Sequence, residues 1–134
     1  MASPTVLIFD DELGFPFALS AELGRRSIAA YPARTLTETE SLIARLRLKP
    51  DLLVINCRRR GACAFAEQIG RHRRNLKIVA LVSASFECQK CADKVAAQLR
   101  DPEDKFPDRI PHVADVIQAL LRERPGRTHG ASGA

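Results

Sequence analysis

The sequence predicts an α/β domain built on a doubly wound, five-stranded parallel sheet with helices on both faces. Three observations carry that expectation. Short, wholly apolar runs recur along the chain, VLIF at 6–9, LLVI at 52–55 and IVALV at 78–82. A strand buried on both faces reads as such a run rather than as an alternation. Between the runs lie stretches whose apolar residues recur at helical spacing. Strands alternating with helices in this way need right-handed helical crossovers between parallel neighbours. The length of 134 residues suits one domain, expected to span 1–122, with 123–134 as a disordered tail.

The first element, VLIFDD at 6–11, is apolar until it meets charge abruptly, as a buried strand does when it reaches the sheet edge. Phe15, Ala18, Leu19 and Leu23 then share one face of a helix over 15–26, and Pro16 suits its first turn. A short second strand is expected over 27–31. TLTETESLIARLRL, 35–48, is an amphipathic helix with Thr35 or Thr37 as N-cap and Leu42, Ile43 and Leu46 facing inward. Lys49–Pro50 ends it and introduces the third strand, PDLLVIN, at 50–56. The loop CRRRGA leads into a helix through about Arg71, and LKIVALVSAS, 76–85, is the fourth strand. A helix near 87–96 and a weaker fifth strand, AAQLR at 96–100, follow. HVADVIQALLRER, 112–124, is the last helix, with Pro111 suiting its start. The remainder, PGRTHGASGA, has no periodicity.

Composition narrows the function classes. A hydrophobic fraction of 46% with 28% charged residues fits a soluble globular protein. No apolar run approaches the ~18 residues of a membrane span, and no basic segment precedes the first apolar run as in a signal peptide. The expected location is the cytoplasm, with no membrane partner. The net charge of +5 is concentrated at Arg58, Arg59 and Arg60, and at Arg71, Arg73 and Arg74 around His72. Such clusters can meet phosphate backbones or acidic surfaces, and they are equally ordinary on a solvated helix face. No aromatic residue interleaves with them, which argues against a nucleic-acid partner held by stacking. No catalytic triad, phosphate-cradling glycine loop or paired general acid and base is present, so no enzyme is expected.

In an open parallel sheet, ligands lie at the carboxyl ends of the strands. That rule gathers Asp10, Asp11, Asn56, Ser83 and Asp101 on one rim. Carboxylates and an amide brought together there describe a site for a cation and a phosphoryl group. An aspartate at 56 could attack phosphorus; an asparagine cannot. The plainer alternatives are that Asp10 and Asp11 cap the following helix, and that Ser83 is an ordinary strand-end hydroxyl.

VLIFDDE, PDLLVIN, the loop glycine Gly61 and IVALVSA, in this order and spacing, resemble the receiver domain of bacterial two-component response regulators over residues 5–122. The resemblance implies a flavodoxin-like sheet of strand order 2-1-3-4-5. It also implies magnesium at Asp10 and Asp11, completed by the backbone carbonyl of Arg58. Asn56 stands where the family has its phosphate-accepting aspartate, and Ser83 where a hydroxyl holds the phosphoryl group. Asp101 stands where a lysine contacts the phosphate, with Lys105 as an alternative cation, and Gln98 where an aromatic switch residue sits. The amide removes both the nucleophile and one anionic metal ligand, leaving magnesium weakly bound. Asp101 would repel a phosphoryl group rather than stabilise it. The implied function is a degenerate pseudo-receiver in a two-component or phosphorelay context, not phosphorylated. It would act by binding a histidine kinase or an output protein, or as a homodimer through residues about 87–121.

Four cysteines form a second candidate site: Cys57 and Cys63 flank the loop after the third strand, and Cys88 and Cys91 follow the fourth. Free thiols are the plain reading, with Cys57 turned toward the core. The alternative is a cysteine-based metal or redox sensor on the same scaffold. It would use a four-thiolate zinc or iron–sulfur site, or thiols activated by Lys90 and a nearby helix N-terminus. A permanent disulfide between Cys88 and Cys91 is not expected in a reducing cytoplasm.

Overall fold

A computed structural model of the chain describes residues 3–10, 14–57, 61–71, 73, 75–83, 95–101 and 106–123, with the side chains of Ser83 and Asp101 outside that set. Five strands form one sheet: β1 (Thr5–Phe9), β2 (Ala29–Ala33), β3 (Leu52–Asn56), β4 (Lys77–Ser83) and β5 (Ala97–Asp101). Every pairing is parallel, in the order β2-β1-β3-β4-β5. The α/β class and the 2-1-3-4-5 order are those expected. The helices described are α1 (Gly14–Arg25), α2 (Leu36–Leu46), α3 (Ala62–Gly70) and α4 (Ile110–Arg122). Among the described residues no helix is long and apolar enough to cross a membrane.

The period of two in each strand divides the apolar residues between two cores. Leu7, Phe9, Leu53, Ile55, Ala80 and Val82 face Ile43 of α2 and Phe65, Ala66 and Ile69 of α3. Val6, Ile8, Leu52, Val54, Val79 and Leu81 face Leu19 and Leu23 of α1 and Val113, Ala114 and Ile117 of α4. The central strand β3 is therefore buried along its whole length. That is why LLVI shows no alternation in sequence.

Several boundaries differ from the sequence expectation for local reasons. β2 begins at Ala29 rather than near 27, because Arg26 and Ser27 form a turn that closes α1. Arg26 N–H donates to Leu23 O and Ser27 N–H to Gly24 O, and Ser27 has a left-handed φ of 62°. β2 is an outer strand, where the missing N–H of Pro32 is tolerated. Leu46 is not an inward residue of α2. It is 51% exposed, because the left-handed turn at Arg47 ends the helix and brings Leu48 against the core instead. Thr35 is the N-cap, its hydroxyl accepting from Glu38 N–H at 3.1 Å.

α4 starts at Ile110, two residues earlier than expected, after a 3₁₀ turn over Phe106–Arg109 that buries Phe106 against the α1 side. Pro111 lies in its first turn. The helix expected near 87–96 falls outside the described residues except at its end. There residues 95 and 96 are not helical and lead directly into β5, with Ala96 N–H donating to Ile78 O.

The C-terminal end of α1 is braced by charge against the middle of α4. Arg26 donates to Glu22 at 2.9 Å, to Asp115 at 2.6 Å and to Gln118 at 3.3 Å. Hydrogen bonds from Arg25 and then Arg26 hold the Glu22 carboxyl below the usual carboxylate range. A depressed carboxyl stabilises the fold above its unfolded pKa, and the contribution fades as pH falls through the folded value. Solvent screening keeps the effect small at such a surface site.

Candidate functional site

The register of the sheet builds the rim. Phe9 pairs with Ile55 in the parallel β1–β3 ladder, so the next residues, Asp10 and Asn56, emerge side by side. Ser83 pairs with Asp101 as the last residues of β4 and β5. Four of the five positions expected at the carboxyl edge, Asp10, Asn56, Ser83 and Asp101, are thus brought to one edge. Of the other expected participants, Asp11, Arg58 and Lys105 lie outside the described residues. Gln98 is exposed on β5, paired with Ala80.

Asp10 and Asn56 are only 2% and 7% exposed. The Asn56 side-chain amide donates to Asp10 Oδ2 over a long 3.4 Å. This geometry explains what an amide does at position 56. A second buried carboxylate at that distance would repel Asp10 and need a cation between them, whereas an amide offers a neutral donor. For magnesium to bind here, the amide must turn its oxygen toward the metal and surrender the bond to Asp10. The donor set is also one negative charge short for a hard cation. Among the described residues no group of three or more His, Cys, Asp or Glu side chains is placed to hold a metal.

Beneath the rim the packing is aromatic. Phe9, at the end of β1, stacks on Phe65 of α3 with ring centroids 4.2 Å apart and 26° between planes. Gly61 starts α3 at φ 81°, a left-handed conformation that costs a residue with a Cβ about 1–2 kcal/mol, and its carbonyl accepts from Phe65 N–H. The loop glycine thereby aims α3 so that Phe65 reaches the underside of the rim.

The cysteines divide. Cys57 is a thiol turned into the core at 1% exposure, its N–H bonded to Leu81 O. Cys63, in the first turn of α3 and half-buried, is disulfide-bonded. Cys88 and Cys91 lie outside the described residues. Sequence reasoning singled out Cys63 but not its oxidised state, since spacing alone does not bring two sulfurs within bonding distance. Of the arginine clusters, Arg73 is spent internally, on Ile69 O at 2.8 Å and Glu40 at 3.5 Å. Arg58, Arg59, Arg60 and Arg74 are outside the described residues.

No protein-family profile matches the sequence, and no curated protein does. Solved structures match closely in shape. The orphan response regulator HP1043 of H. pylori superposes with a TM-score of 0.69 at 16% identity, over 90% of this chain and 98% of that one. The inactive regulatory domain of the repressor of iron transport regulator, RitR, gives 0.69 at 20% identity, over 91% and 98%. A streptococcal redox sensor, of a family evolved from two-component response regulators, gives 0.71 at 20% identity over 98% of this chain, which spans 56% of that protein's length. The chain has the fold of response-regulator receiver domains.

Proposed function

We propose that this chain is a receiver-type signalling module of a two-component or phosphorelay context. Its rim does not accept a phosphoryl group, and its output is protein binding, in the cytoplasm and without a catalytic step of its own. The observation that carries this reading is the Asn56 amide donating to buried Asp10. The acceptor position holds no nucleophile, and its donor occupies the carboxylate that a metal would use. The Asp101 position at the end of β5 supports the same reading, since an acidic position on this rim in addition to Asp10 opposes a phosphate dianion.

In such a module, association is not gated by phosphorylation. Light scattering of the full chain is expected to give the same mass with and without acetyl phosphate and magnesium. The binding curve for a histidine kinase or output protein is expected to be unchanged as well. A shift in either on adding acetyl phosphate contradicts the reading. Residues about 87–121 are the face we assign to a homodimer or protein partner.

A second reading is favoured by a separate observation, the disulfide of Cys63. It is a thiol-based redox sensor, in which Cys63 and a second thiol lose two electrons and two protons to an oxidant such as a peroxide. The likeness to the streptococcal redox sensor supports it. Cys63→Ser and Cys88→Ser are expected to abolish an oxidant-dependent change in oligomeric state or melting temperature, and Asn56→Asp to leave that change intact. An oxidant response that survives both serine variants removes this reading. Metal analysis of protein purified without chelators separates it from a zinc or iron–sulfur site.

A further inference from the structure

The sheet edge opposite the Asp10–Asn56 rim holds an open groove of about 770 Å³, at the starts of β1, β3 and β4. Its floor is apolar, with Leu48, Leu76, Leu120 and Leu121 all half-buried. Its walls carry four basic side chains, Arg47, Lys49, Arg73 and Lys77, against two acidic ones, Asp51 and Glu123.

These charges are not equivalent. Lys77 Nζ donates to the carbonyls of Leu120 and Glu123 at 2.5 and 3.0 Å, closing the C-terminal end of α4. Arg73 is held by Ile69 O and Glu40. Asp51 accepts from Thr5 N–H at 2.8 Å. Arg47 and Lys49 differ from these. Both are exposed, and neither side chain has a hydrogen bond or ion pair among the described residues. Two uncommitted cations therefore stand over a leucine floor, against one exposed carboxylate, Glu123, whose side chain likewise has no hydrogen bond or ion pair among the described residues.

We propose that this groove docks an acidic, leucine-bearing segment of a partner protein, whether or not the rim accepts phosphate. Carboxylates would face Arg47 and Lys49 while apolar side chains cover the floor. Exposed ion pairs contribute little each, so the floor supplies most of the affinity and the cations set orientation and encounter rate. Charge excludes residues 124–134 as occupant, because they carry Arg124 and Arg127 and no aspartate or glutamate. The absence of any aromatic residue among the lining residues argues against a nucleic-acid strand.

The test is fluorescence anisotropy of the full chain with a short labelled peptide of alternating glutamate and leucine, at physiological salt. Saturable binding is expected, weakened about tenfold or more by the double variant Arg47→Glu, Lys49→Glu. Both positions are exposed, so the double variant should fold, and its circular dichroism should match wild type. A peptide with serine in place of leucine should bind far more weakly. Equal binding by the charge-reversed variant overturns the proposal. So does equal binding of the serine peptide, which marks nonspecific attraction. Affinity that rises tenfold on deleting residues 124–134 identifies the tail as occupant, and that too overturns it.

Discussion

Asn56→Asp is expected to lower stability by about 1–3 kcal/mol at neutral pH without divalent cations, and magnesium is expected to restore it. The cause is the buried neighbour. The variant places a second carboxylate where the amide now donates to Asp10 over 3.4 Å, at positions 2% and 7% exposed. Two such groups favour sharing one proton, which raises a folded-state pKa above the ordinary value of ~4. With a raised folded pKa, the loss is absent below the unfolded value and grows as pH rises through the folded one. Urea melts at acid and neutral pH, each with and without magnesium, read the effect directly. A variant as stable as wild type at neutral pH and indifferent to magnesium would mean that the two side chains do not share a site.

Phe65→Ala is expected to cost about 3–5 kcal/mol, the range for removing a buried aromatic side chain. Phe65 is buried and stacks on Phe9 beneath the rim, so its loss opens a cavity under the strand end that carries Asp10. Phe65→Leu, which keeps most of the volume, should cost much less. Denaturant unfolding of both variants checks this. A Phe65→Ala cost below about 1 kcal/mol would mean that the ring is not buried as described.

The sheet and its rim were legible in the sequence because burial on both faces leaves a direct trace, an unbroken apolar run ending on polar residues. Asp10 and Asn56 could be placed on one edge from that trace alone. What the amide does there could not, because the direction of its donor depends on the register of β1 against β3. Leu46 was misplaced for a similar reason: it is the last residue of α2, and the left-handed turn at Arg47 brings Leu48 to the core in its place, which helical spacing does not show. The start of β2 was hidden by the turn at Ser27, where a serine rather than a glycine takes the left-handed conformation. The Phe9–Phe65 stack joins residues far apart in the chain, and no local period encodes such a contact. Cys63 was visible as a cysteine, but its disulfide is a fact of three-dimensional proximity.

The central claim is that position 56 cannot carry a phosphoryl group, and intact-mass spectrometry after incubation with acetyl phosphate and magnesium tests it most directly. The wild-type chain is expected to keep its mass, while Asn56→Asp gains one acid-stable, base-labile phosphoryl group. A stable phosphoryl group on the wild-type chain contradicts the claim.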